Sequence, residues 1–155
     1  MGRAPYNNVT QSDGGGRVSA REYFEQVADA VRRHRDAELV LAFGAPRPRT
    51  IGGSGFGDGP VVARVISDER ALGEMRATEE IIGEALRYIE GLRRVYCRKA
   101  DAMEMHYIDL MPWADVADEM GRDARTVMRW RDELCDWCDS VGWAHVADGT
   151  GTAES

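Results

Sequence analysis

The sequence predicts an all-α fold: a long helix followed by a helix-turn-helix bundle, with an extra N-terminal helix and flexible linkers. Three observations carry that prediction. Apolar residues recur at helical spacing in successive stretches between residue 19 and residue 138. Helix-start signals precede them: an S-x-x-E capping box from Ser19 to Glu22, Pro112 and Asp123. Ten of the 17 glycines fall in residues 1–16 and 44–60, so the apolar material lies elsewhere.

Residues 1–18 are rich in Gly, Ser and Asn and read as a disordered N-terminus, with too little apolar surface to offset ordering. Behind the capping box, Tyr23, Phe24, Val27, Ala28 and Val31 predict a helix over residues 19–43. Its basic run, Arg32, Arg33, His34 and Arg35, reads as a solvated face in preference to a DNA backbone contact, and His34 receives no role. Residues 44–60, GAPRPRTIGGSGFGDGP, read as a Gly/Pro-rich linker. They fit neither G-x-G-x-x-G nor G-K-[ST], which excludes a nucleotide cradle.

A long helix is expected over residues 61–97. Leu72, Met75, Ile82, Leu86, Ile89 and Tyr96 follow at steps of three, four or seven, interrupted by Glu79. That approaches an a/d heptad seam, widened by Ala85, Leu92 and Val95, so the helix serves either as a scaffold or as a homodimer interface over residues 72–96. Residues 98–146 form the expected DNA-binding domain. Met103, Met105, Tyr107 and Ile108 mark its first helix, and Leu110, Met111 and Pro112 break the chain, with Pro112 as the first residue of the next helix.

The stretch over residues 113–132, WADVADEMGRDARTVMRWRD, reads as two short helices joined at Gly121. Val116, Ala117 and Met120 line the first. Gly121 suits a turn with positive φ, and Asp123 caps the second helix by accepting from the amide near Thr126. Val127, Trp130 and Leu134 then point inward, leaving Ala124, Arg125, Met128 and Arg129 outside. Exposed arginines around a small residue at a helix start suit a major groove better than an ordinary helical hairpin does. Arg125 and Arg129 are expected to read base edges, with Ala124 and Met128 against thymine methyls. Arg122, Thr126 and Arg131 are expected to hold phosphates. The recognition helix continues to Cys138, Trp143 and Val146 fold back on the bundle, and residues 147–155 form a disordered tail.

Composition bounds the function. A chain of 155 residues with net charge −7 does not coat DNA indiscriminately. Residues 122–131 nevertheless hold four arginines against Asp123, a local charge of +3, while residues 101–119 carry six acids and no Lys or Arg. No apolar run approaches the ~20 residues that span a bilayer, and the N-terminus lacks a signal-peptide stretch, so a cytoplasmic protein is expected. Three cysteines do not make a disulfide framework. Cys135 and Cys138 form a C-x-x-C without the two further ligands that zinc needs, so no metal and no cofactor is expected. No catalytic constellation stands out, and the expectation is not an enzyme.

The run from Asp101 to Trp130 resembles a sigma factor region 4 module. It is closer still to phage-encoded late transcription regulators of the ArpU/RinA-like group. The resembling residues are Met103, Met105, Tyr107, Ile108 and Asp109, then Met111, Pro112 and Trp113. Val116, Ala117, Met120 and Gly121 follow, then Thr126, Val127 and Arg129. The likeness covers about residues 70–138. It implies sequence-specific binding to double-stranded promoter DNA and contact with host RNA polymerase, in a regulator of phage or prophage origin. Two residues depart from the pattern: Leu110 stands where such proteins often have glycine, and Asp123 replaces the usual Ser or Thr cap. Two other readings compete. One is an oligomeric DNA-packaging adaptor of the small terminase type, motivated by the heptad-like seam. The other is a partner-binding module working through the acidic face at residues 115–119.

Overall fold

The computed structural model describes residues 18–44 and 59–149, and of residues 59–63 it describes the backbone alone. The segments expected to be disordered over residues 1–17, most of the linker (45–58) and the end of the tail (150–155) lie outside the described residues. The described residues form six α-helices and no strand, so the fold is all-α. None of these helices is long and apolar enough to cross a membrane.

The first helix, α1, spans Ala20–Phe43, and its capping box forms as expected. The Ser19 hydroxyl accepts from the Glu22 amide at 3.2 Å while the Glu22 carboxylate accepts from the Ser19 amide at 3.2 Å. The second, α2, spans Gly59–Val95, starting two residues inside the expected linker and ending two residues short of the expected boundary. It runs antiparallel to α1, because Tyr23 meets Glu84 (2.8 Å) while Arg33 meets Glu74 (2.7 Å).

The contact between these helices corrects the expected seam. Of Leu72, Met75, Ile82, Leu86, Ile89 and Tyr96, only Ile89 is buried, and Leu72 and Leu86 remain 44% and 38% exposed. The buried line is Ala71, Thr78, Ala85 and Leu92, every seventh residue, with Ile89 beside it. Small residues let α1 approach closely, with its own Ala30 and Ala37 buried as well. His34, expected to be idle, donates from Nδ1 to the Thr78 hydroxyl (3.0 Å), which in turn donates to the Glu74 carbonyl (2.7 Å).

Tyr96 leaves helical geometry, and α3 follows over Cys97–Tyr107. Arg93 holds α2 to it through ion pairs with Asp101 (2.9 Å) and Glu104. Two short elements, α4 (Trp113–Met120) and α5 (Ala124–Val141), come next. The final helix, α6, spans Trp143–Asp148, so residues 147 and 148, expected in a disordered tail, are helical. Trp143 folds back as expected, stacking near Tyr23 (4.7 Å) and Tyr88 (4.6 Å) between ring centroids. The α6 backbone lies directly on α2 at Gly91, where a Cβ would stand 1.8 Å from the Val146 carbonyl oxygen.

Candidate nucleic-acid interface

A second, smaller core separates the end of the molecule that holds α4 and α5 from the main one. Ala102, Val116, Ala117, Met120 and Val127 are buried in it, flanked by Met105, Met111, Trp113, Ala124 and Trp130. Val116, Ala117 and Met120 face inward from α4, and Val127 faces inward from α5, as their spacing requires.

The turn between these helices has the geometry that the sequence asks for. Gly121 adopts φ 68° and ψ 34°, the left-handed region. No atom would crowd a Cβ there, so backbone conformation rather than space makes glycine the fit. The Gly121 amide donates to Asp118 (3.2 Å) and the Arg122 amide to Ala117 (2.9 Å), the paired bonds of a Schellman cap. Arg98, which the sequence did not single out, donates to the Met120 carbonyl at 2.9 Å. Its cation thereby sits at the negative end of α4.

Asp123 caps α5, its carboxylate accepting from the Thr126 amide at 2.8 Å. Bonds from the Thr126 side chain and amide hold this carboxyl below its ordinary pKa, with smaller help from Arg125 and Arg129. An ionised, N-terminally placed carboxylate also suits the helix dipole.

A stacked group fixes the start of α4. The Trp113 ring lies 3.8 Å from the His106 ring at 16°, and the Arg131 guanidinium lies 5.5 Å from the Trp113 ring centroid. His106 Nδ1 donates to the Met111 carbonyl at 2.8 Å, and burial lowers the pKa of the imidazole. Pro112 occupies the N-cap position, one residue ahead of the helix start expected of it. Just before it, Leu110 has φ 60°. A left-handed leucine costs roughly 1–2 kcal/mol.

The expected contact residues divide into three groups. Arg122, Arg125, Met128 and Arg129 are exposed, and among the described residues none of these three arginines has an ion-pair partner. Ala124 and Thr126 are half-buried at the head of α5. Arg131 does not belong with them, because it is 6% exposed. It packs on Trp113 and pairs with Asp132 at 2.9 Å. A step of two from Arg129 turns a helical residue well away from the outward face, which is the physical reason for the correction.

Cys135 and Cys138 are buried and free, and Cys97 is exposed. Burial pushes the Cys135 thiol up to about 12 and raises Cys138 as well, so both are protonated core residues at neutral pH. The basic run of α1 is also absorbed: Arg32 pairs with Asp29 (2.6 Å), and Arg35 reaches the Ile108 and Asp109 carbonyls (both 3.4 Å). No protein-family model, curated protein or solved structure matches the chain, so the functional reading rests on its own residues.

Proposed function

We propose that this protein is a non-enzymatic, sequence-specific DNA-binding transcriptional regulator of phage or prophage type, with α5 as its recognition helix. One observation carries the reading. The α4–turn–α5 unit packs with Ala102 and Met105 of α3 into a small core, while three arginines without an ion-pair partner among the described residues stand on the outward face around the head of α5. A solvated helix needs no such separation, whereas a helix laid in a major groove does. Arg125 and Arg129 read base edges, Met128 and Ala124 lie against thymine methyls, and Arg122 and Thr126 hold phosphates. The exposed acids Asp115, Asp118 and Glu119 of α4 offer a surface for a basic face of RNA polymerase.

With Arg131 internal, the outward charge is smaller than the sequence suggests, so one copy binds weakly and a second copy or the polymerase supplies the rest. The test selects bound sequences from random DNA, then compares wild type with the Arg125→Ala/Arg129→Ala variant on the selected site. The variant is expected to lose specific binding with its melting temperature unchanged. Equal binding by both proteins would sink the assignment.

A further inference from the structure

The side of α2 turned away from α1 carries a stripe at steps of four and three: Glu69, Gly73, Arg76, Glu80, Gly83 and Arg87, all exposed. Among the described residues, none of these four charged side chains has an ion-pair partner. The glycines are equally unexplained from within, because a Cβ at Gly73 or Gly83 would meet none of the described residues within 4 Å. Mid-helix glycine costs stability relative to alanine, and no neighbour among the described residues requires it at either place.

Read backwards, the stripe is its own complement. Reflected about residue 78, Glu69 falls on Arg87, Gly73 on Gly83, and Arg76 on Glu80. We propose that two copies of the chain pair antiparallel through this face of α2. Glu69 of each copy then meets Arg87 of the other, Arg76 meets Glu80, and the backbones close together where Gly73 meets Gly83.

Such a pair is isologous, so each ion pair forms twice about one two-fold axis. Exposed ion pairs add little affinity and mainly fix register. Apolar contact comes from the flank. Leu72 and Leu86, left exposed by the α1 contact, lie on the same side of the stripe. In this register Leu72 of one copy and Leu86 of the other lie two residues apart along the axis, about 3 Å. The expected seam therefore divides: α1 covers the line through Ala71 and Ala85, and a second copy covers Leu72 and Leu86.

This pairing deepens the proposed function by supplying its second copy, and its test contains no DNA, so the two readings fail separately. The full chain is measured by sedimentation equilibrium at micromolar concentration in low salt. Wild type is expected at twice the 17.2 kDa of one chain. Arg76→Glu/Arg87→Glu makes the stripe all acidic and Glu69→Arg/Glu80→Arg makes it all basic, and each alone is expected to fall to the monomer mass. Mixing the two is expected to restore the dimer mass, which also shows that both variants are folded. A monomeric wild type, a ring of many subunits, variants that stay dimeric, or a mixture that stays monomeric would each overturn the proposal.

Discussion

Gly91→Ala tests the packing of the C-terminal helix, because the same substitution is expected to have opposite signs at two places on α2. At Gly91 a new methyl would stand 1.8 Å from the Val146 oxygen and 2.9 Å from the Ala147 oxygen. Both obstacles are backbone, so α6 must withdraw as a unit until the closest contact exceeds about 3.4 Å. That uncovers Val146, which is fully buried, and loosens Trp143 from the Tyr23 and Tyr88 rings. Burying one valine is worth about 1.5–3 kcal/mol, and alanine returns up to ~1 kcal/mol of helix propensity. The net loss is about 1–3 kcal/mol once part of the Trp143 contact is counted. The thermal unfolding midpoint followed by far-UV circular dichroism should drop by roughly 2–12 °C for a chain of this size, with a red shift in tryptophan emission. At Gly83 nothing stands near a Cβ, so Gly83→Ala should gain up to ~1 kcal/mol in dilute, monomeric protein. A Gly91→Ala protein that melts at or above the wild-type temperature with unchanged emission would refute the close approach of α6.

Arg129→Ala should cost about 1–3 kcal/mol on a specific DNA site and leave urea unfolding unchanged. Arg131→Ala should do the reverse, lowering unfolding stability by about 1–2 kcal/mol through lost packing on Trp113. An Arg131→Ala protein as stable as wild type yet deficient in DNA binding would return that residue to the interface. Under native conditions a thiol reagent should modify Cys97 quickly, and Cys135 and Cys138 only after denaturant is added. Three fast thiols would contradict the buried pair. His106 sets a pH dependence: its folded pKa lies below the ordinary 6.5, so the unfolded chain takes up the proton first. Its share of stability is present above that unfolded value and is lost as pH falls from there toward the folded one. His106→Phe, measured by urea unfolding across that window, should flatten the loss.

Two kinds of signal decided how much of this fold was legible in the sequence. Local signals translated directly. The Ser19 capping box, the Gly121 turn and the Asp123 cap each involve atoms within a few residues, so chain chemistry alone determines them. The contact face of α2 translated only in part: Ala85, Ile89 and Leu92 are buried as their spacing suggests, but counting large apolar residues favours Leu72 and Leu86 over Ala71 and Thr78. Helix–helix distance reverses that preference: where α1 comes close, the small residues fit and the large ones turn to the flank.

Helical period also decides which of the expected interface residues are exposed. Arg125 and Arg129 lie four residues apart, so they share one side of α5 and periodicity places them outside, while Arg122 is exposed in the turn ahead of the Asp123 cap. Arg131 lies off that period, and the fold withdraws it into contact with Trp113. Its removal changes the electrostatics as well as the inventory. The head of α5 keeps three exposed arginines against Asp123, on a protein whose net charge is −7. On the proposed function, so small a face neutralises few phosphates, and each copy adds a shallow salt dependence and little non-specific grip. Discrimination would then rest on the base-facing side chains and on the number of copies engaged. On the proposed pairing, the self-complementary stripe on α2, far in sequence from α5, sets that number.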